Sequence, residues 1–181
     1  MGNLQQHPAK VCLTSSGALI HAGRVLLVKH KKLGLWLCPG GHLEENELPH
    51  HAAEREFWEE TGVRVRATAL KHLPESANEE FLPEPLLVGL HWVSRQNFDA
   101  RQQSPSSYAK QKGWEKGCEQ HCNFFFLVEP VAGVQFTQNV EETEGIGWFR
   151  RSELADIQTT DSVKAELEMA FKFNREQSTV S

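Results

Sequence analysis

Six consecutive residues, Arg55-Glu56-Phe57-Trp58-Glu59-Glu60, set three carboxylates within five positions, next to one guanidinium. On a helix, Glu60 lies one turn beyond Glu56 and Glu59 lies beside both, so the three acids share a face. At about 100° per residue they span a narrow arc, with the small Ala52 on the same side and Trp58 pointing the opposite way. Carboxylates held this close repel one another and need a counter-charge. A hard divalent cation that takes oxygen ligands, Mg²⁺ or Mn²⁺, is the candidate. Such ions lower the pKa of bound water and absorb charge on phosphate oxygens, the two requirements of phosphoanhydride hydrolysis.

The helix that must carry these acids has readable ends. Asn46 or Glu47 is expected to cap its start, and Pro49 falls in the first turn, where backbone N–H groups have no intrahelical partner. Ala52, Ala53 and Glu54 favour the helix. Gly62 is expected to end it after Thr61 in a left-handed conformation.

Over residues 41–63 the fixed positions are Gly41, Glu47, Arg55, Glu56, Glu59, Glu60, Gly62 and the apolar Val63. This segment resembles the Nudix box at every one of those positions. Phe57 stands where an aliphatic residue is usual, a departure that bears on packing rather than chemistry. An acidic helix face of no function does not explain eight matches at fixed spacing. The resemblance implies an α/β fold, a mixed β-sheet sandwiched between helices, across about residues 10–175. It implies Mg²⁺ as cofactor, with Mn²⁺ as substitute, held by Glu56, Glu59, Glu60 and the backbone carbonyl of Gly40. It also implies that Glu47 and Arg55 form an ion pair bracing the loop against the helix, so that replacing Glu47 hurts less than replacing Glu56 or Glu60. Glu141, Glu142 and Glu144 resemble the downstream catalytic acid region, and Glu142 is favoured among them; which glutamate serves as general base differs between members. Lys29 resembles the basic residue that meets substrate phosphate, the alternative being an ordinary solvated lysine. His42, directly after Gly40-Gly41 at the mouth of the site, is a further substrate-binding candidate.

Composition narrows the class. At 181 residues, 39% hydrophobic and 24% charged, the chain fits one globular domain. No apolar run approaches the roughly 20 residues needed to cross a bilayer, and MGNLQQHPAK lacks a secretory h-region, so a cytoplasmic location is expected. A net charge of −5 disfavours general nucleic-acid binding, whereas a small nucleotide held through metal ions remains compatible. A homodimer is compatible as well. The four cysteines, Cys12, Cys38, Cys118 and Cys122, read as reduced thiols. Cys118-Glu-Gln-His121-Cys122 has part of a zinc spacing, but no second Cys/His pair lies at finger distance, and structural zinc is not expected. Most of the nine histidines read as surface or hydrogen-bonded residues, and no His-Glu-x-x-His is present.

Runs 11–20 and 24–30 are β-rich and joined at His21-Ala22-Gly23, which predicts a hairpin. Residues 33–41 lead as loop and short strand into the box helix. Further strands are predicted at 63–72, at 86–94 as a central strand, at 124–128 as a buried one, and at 146–149. A short helix starts at Arg151. In the last helix Val163, Leu167, Ala170, Phe171 and Asn174 form an apolar stripe expected to pack on the core. Residues 1–9 and 176–181 read as flexible ends. The 26-residue polar stretch 96–121 reads as an insertion, either a lid whose Phe98, Tyr108 and Trp114 stack on a nucleoside or a passive disordered loop.

Substrate identity is less legible. Signatures of coenzyme A and NADH members are missing, Pro74 and Pro83 lie off the offset associated with ADP-ribose hydrolases, and Tyr108 is too distant for a dinucleoside-polyphosphate member. The charge argues against messenger-RNA decapping. A nucleoside triphosphate, damaged ones included, is the first choice, and a nucleoside-diphosphate sugar or ADP-ribose the second. The rival from another class is a Nudix-fold module that binds a nucleotide without cutting it; such modules are expected to lose box glutamates, and all are retained here.

Overall fold

The structure, a computed structural model, describes residues 8–69, 71, 73–103 and 117–178, with side chains through residue 175. Its elements are β1 (Val11–His21), β2 (Arg24–His30), β3 (Trp36–Leu37), β4 (Gly40–His42), α1 (Pro49–Thr61), β5 (Val65–Ala67), β6 (Leu87–Trp92), α2 (Arg95–Gln103), β7 (Gln120–Pro130), β8 (Thr143–Arg150), a 3₁₀ turn (Arg151–Glu153) and α3 (Asp161–Ser178). The long β1 is the axis. It runs parallel to β7 from Val11 to Leu19, takes β4 on its other edge at Thr14–Ser16, and turns into β2 through Ile20 and His21. β2 continues the sheet into β3 and β8, while β5 and β6 both pair with β7. Ala22 and Gly23 both have positive φ, 48° and 72°, which gives the β1–β2 hairpin the two-residue turn that matches strand twist.

Period-2 alternation divides the core into two layers. Leu19, Leu26, Phe126 and Val128 face α1 and surround Phe57, which is fully buried. Their neighbours Ala18, Val25, Leu27, Phe125 and Leu127 face Leu167, Ala170 and Phe171 of α3. The expected mixed sheet between helices is therefore what the chain forms, and the apolar stripe of α3 is core. Phe57, the one departure within the box, is fully buried in the layer between α1 and the sheet.

Several expectations need correcting. The N-cap of α1 is Leu48, without a side-chain cap bond, and not Asn46 or Glu47. Glu47 is committed elsewhere, to Arg55 and to the Glu44 N–H, and Asn46 occupies a left-handed turn at φ 64°. The other end is as expected: Gly62 adopts φ 71° and its N–H donates to the Trp58 carbonyl at 2.7 Å. The strand expected at 63–72 is only three residues long, with Leu70 and His72 outside the described residues. Strand β6 is not central: among the described residues it pairs with β7 alone, and Val88 and Leu90 are exposed. Helix α3 extends to Ser178, past the boundary expected at 175.

The cysteines also differ from expectation. Cys12 and Cys118 are joined in a disulfide, while Cys38 and Cys122 are free. The parallel pairing sets Cys12 opposite His121, and Gly117, at φ 62°, turns the incoming chain so that Cys118 meets it. Nor is the stretch 96–121 one long loop. Its first part is α2, anchored by Arg95 over the Trp92 ring at 4.3 Å, and its last part is buried. Glu119 is fully buried and accepts two bonds from Arg101, at 2.6 and 2.9 Å, and one from the Lys10 N–H. Residues 104–116, with Tyr108 and Trp114, lie outside the described residues. Among those described, no helix is long and apolar enough to cross a membrane.

Candidate active site

Helix α1 and strand β4 build the acidic site between them. The backbone at Gly40 and Gly41 passes so close to its neighbours that no side chain fits: a Cβ on Gly40 would stand 2.4 Å from the Ser15 carbonyl oxygen, and one on Gly41 2.4 Å from the Glu56 carboxyl. The glycines thus let the strand lie directly on the carboxylates, and the Gly40 N–H donates to Glu60 Oε2 at 3.0 Å.

Arg55 is the organising cation. It binds both oxygens of Glu47 at 2.7 and 2.9 Å, donates to Glu56 and Glu59 at 2.9 Å each, and reaches the His42 carbonyl at 3.0 Å. The hydrogen bonds from Arg55 hold Glu47 below the usual carboxylate range despite its partial burial. One guanidinium does not neutralise the rest. Glu56 is raised, first by burial and then by Glu59 and Glu142, against the pull of Arg55. Glu60, only 6% exposed, is pushed up to about 8 by burial and by Glu56, Glu142 and Glu59, although the Gly40 N–H opposes the shift. A carboxylate raised first by burial and then by neighbouring carboxylates keeps its charge only beside a counter-charge, and an all-oxygen donor set suits a hard divalent ion.

The acids border a cavity of about 490 Å³ that Glu56, Glu59, Glu60, Glu141, Glu142, Arg55, Gly40 and His42 line together. The loop bearing Glu141 and Glu142 is docked by named contacts. Asn139 donates from its side chain to the Glu59 carbonyl and from its backbone to the Glu60 carbonyl, both at 3.2 Å, and Lys31 Nζ bonds the carbonyls of Val140 and Glu141. Glu144 points elsewhere and meets Lys29 at 3.7 Å. Lys29 is not in the lining of this cavity; His30, Lys31 and Lys32 are. The signal for the last three in the sequence is the basic run at the end of β2.

A second cavity of about 400 Å³ adjoins the first and shares Gly40, Gly41, His42 and His30 with it. Its walls are mixed: Leu33, Leu35, Leu37, Trp92 and Val163 on the apolar side, and Thr14, Ser16, His91, His121, Asn123 and Glu166 on the polar side. Asn123 bonds Ser16 and Thr14, which orients its amide. Burial pushes Glu166 up to about 7, and burial with the two neighbouring histidines pushes His121 down to about 4.

The NUDIX domain profile matches residues 13–171 of the chain. The chain belongs to the Nudix family. Among curated relatives, a MutT-like protein of Streptomyces ambofaciens is 46% identical over 48 residues, 26% of this chain and 31% of that protein. Phosphatase NudJ of Escherichia coli is 48% identical over 51 residues, 26% of this chain and 33% of its own length. The matches thus span about a third of these relatives. Among solved structures, a Nudix-family hydrolase from Clostridium perfringens superposes with a TM-score of 0.63 at 23% identity, covering 89% of this chain and 94% of that one. An ADP-ribose pyrophosphatase from Streptococcus suis gives 0.55 at 19% identity, over 91% and 92%. These likenesses establish the fold, and the box residues of this Nudix chain are the ones its own geometry brings together.

The Glu47–Arg55 pair yields a prediction. Glu47→Gln removes the bidentate partner but leaves Arg55 its bonds to Glu56, Glu59 and His42. The expected result is a loss of about 10–100-fold in kcat/KM with the fold intact, the range typical of residues that orient metal ligands. Arg55→Ala, which strands the half-buried Glu47, is expected to cost stability as well, about 1–3 kcal/mol. Steady-state kinetics with thermal melts checks both; a kinetically silent Glu47→Gln would show that the brace has no role in catalysis.

Proposed function

We propose that this chain is a divalent-metal-dependent Nudix pyrophosphohydrolase acting on a small nucleotide. The observation that carries the reading is the packing of Glu56, Glu59, Glu60 and Glu142 around one cavity, with a buried carboxylate at about 8 and glycine backbone pressed against it. Glu56, Glu59, Glu60 and the Gly40 carbonyl would hold Mg²⁺ or Mn²⁺. When bound, these ions neutralise phosphate oxygens and lower the pKa of the attacking water. Glu142 accepts the proton of that water, and the Asn139 and Lys31 contacts keep its loop against the end of α1. Lys32 and His30 face the outer phosphates, and burial together with Lys32 holds His30 below its ordinary value, so it meets phosphate as a neutral donor.

The adjoining cavity is the place for the nucleoside, with Trp92 as a stacking surface and the oriented Asn123 amide for hydrogen bonds to a base. A nucleoside triphosphate is the substrate proposed first, with a nucleoside-diphosphate-linked compound second. A panel of nucleoside triphosphates, damaged ones included, with nucleotide sugars and ADP-ribose, assayed with Mg²⁺ in ¹⁸O water, tests this. Release of pyrophosphate or phosphate from a triphosphate with kcat/KM at least tenfold above the sugars is expected; the reverse order would assign the chain to nucleotide-sugar chemistry. Tight binding with no product after long incubation would make it a binding module instead. Shortening residues 104–116 is expected to change the ratios of kcat/KM across the panel while leaving Mg²⁺ affinity alone; unchanged ratios would show that the segment is passive.

A further inference from the structure

Beside the carboxylates, the sheet gathers a second set of metal-ligating side chains of a different chemistry. The β1–β7 register sets Cys12 opposite His121, the β6–β7 register sets His91 opposite the same His121, and the β1–β4 register sets Thr14 opposite His42. Paired positions, and alternate positions along one strand, share a face, so Cys12, His42, His91 and His121 converge on one side of the sheet. Cys118 reaches the same point from the segment before β7. The sulfurs of Cys12 and Cys118 and one ring nitrogen of His42 all lie within 4.8 Å of one another, and His42 Nε2 is 3.3 Å from Cys118 Sγ. The His121 ring packs edge-on against His42 at 4.8 Å between centroids, and its buried Nε2 has no hydrogen-bond partner among the described residues. A buried nitrogen left without a partner is costly, and a metal bond is one way to satisfy it.

We propose that, in the reduced protein, Cys12, Cys118 and His42 form a thiolate–imidazole site for a zinc-class divalent ion, and that His121, whose ring nitrogens lie outside that close cluster, turns in as the fourth donor. Two sulfurs and imidazole nitrogen select Zn²⁺ over Mg²⁺, so this site and the all-oxygen acidic site do not compete for one ion. Tetrahedral Zn²⁺, with bonds of about 2.3 Å to sulfur and 2.0 Å to nitrogen, holds its ligand atoms roughly 3.3–3.8 Å apart, a spacing the His42–Cys118 contact already has. The disulfide is the metal-free, oxidised state of the same pair. A dithiol reductant delivers two electrons and two protons to the S–S bond, giving two thiols and a disulfide of the reductant. Metal binding then releases the two thiol protons to solvent. The ion clips together the start of β1, the end of β4 at His42 and the end of the polar stretch at Cys118, and so fixes one wall of the nucleoside cavity. No sequence motif announces it, because the two cysteines are 106 residues apart.

The test uses the full chain, reduced with a dithiol under anaerobic conditions and kept in excess Mg²⁺ so that the carboxylates are filled. Titration with Co²⁺ is expected to give one equivalent bound, with an intense thiolate-to-cobalt charge-transfer band and the visible bands of tetrahedral cobalt. Cys12→Ser and Cys118→Ser should each abolish the charge-transfer band, Cys122→Ser should leave it, and His42→Ala and His121→Ala should each weaken Co²⁺ binding at least tenfold. Zn²⁺ should bleach the spectrum and slow alkylation of Cys12 and Cys118, but not of Cys122, as read by peptide mass spectrometry. That last measurement needs no variant and decides the matter if a serine variant fails to fold. Equal alkylation rates with and without Zn²⁺, a charge-transfer band that survives both serine variants, or no band in the reduced chain would overturn the site and leave the pair a disulfide only.

Discussion

Glu60→Gln is expected to lower kcat about 1000-fold while raising the melting temperature of the metal-free protein near neutral pH. The two effects share one cause. Glu60 is buried among Glu56, Glu59 and Glu142, and its negative charge is tolerable only with a cation beside it. A glutamine keeps the shape and still accepts the Gly40 N–H, which donates at 3.0 Å in the native site, so the β4–α1 contact survives. It cannot supply the charge. Losing one charged ligand at a site that stabilises developing negative charge by several kcal/mol removes about 4 kcal/mol, or about 1000-fold in rate. Without metal, the folded chain near neutral pH must hold a proton on Glu60 that the unfolded chain does not hold, and glutamine removes that cost, which accounts for the opposite sign in stability. Glu56→Gln should lose activity similarly, with a smaller gain in stability because Arg55 already binds that side chain at 2.9 Å. Near-native turnover in Glu60→Gln would refute its assignment as a ligand. A drop in activity accompanied by a lower melting temperature would show instead that Glu60 holds the fold together.

How much of this was legible beforehand differs by element. The box helix could be read almost to the residue, because its signals are local: Pro49 at the first turn, Gly62 at the left-handed end, acids at helical spacing between them. The hairpin turn at Ala22-Gly23 was legible for the same reason. The start of α1 is not legible in the same way, because Glu47 has two possible partners, a free N–H of the helix or Arg55, and only the three-dimensional approach of Arg55 decides between them. Strand β6 reads as central from its apolar residues alone; that Val88 and Leu90 face outward depends on which strands stand beside it, which no local pattern records. The same limit applied to chemistry. The acids of α1 announce themselves, but Cys12, His42 and Cys118 converge only through the parallel pairing of β1 with a strand more than 100 residues later. Likewise Lys31 and Lys32 turn toward the acidic cavity because the chain leaves the sheet at His30, a change of direction that alternation along β2 does not foretell.

Mg²⁺ affinity is expected to fall about tenfold for each pH unit below about 8, close to 1000-fold by pH 5. Glu60 has its ordinary value at 4.5 and is pushed to about 8 in the folded chain. Throughout that window the metal-free folded protein carries a proton that an incoming cation must expel, and each proton displaced contributes a slope of one. Glu56 is raised as well, by burial first, and its protonation acts in the same direction. His30 lines the same cavity, but its value is lowered from 6.5, so the slope between pH 8 and 7 belongs to the carboxylate. The sign for stability runs the other way. An acid whose folded value exceeds its unfolded one contributes stability that is complete below about 4.5 and is lost as pH rises toward about 8, so the metal-free protein should melt lower at pH 8 than at pH 6. Saturating Mg²⁺, which binds the ionised form, should reverse that trend. Calorimetric titration in buffers of different ionisation enthalpy measures the released proton directly, and Glu60→Gln should abolish it above pH 7. A pH-independent Mg²⁺ affinity across this range, with no proton released, would mean that the ion binds elsewhere and that Glu60 is a buried, permanently protonated acid.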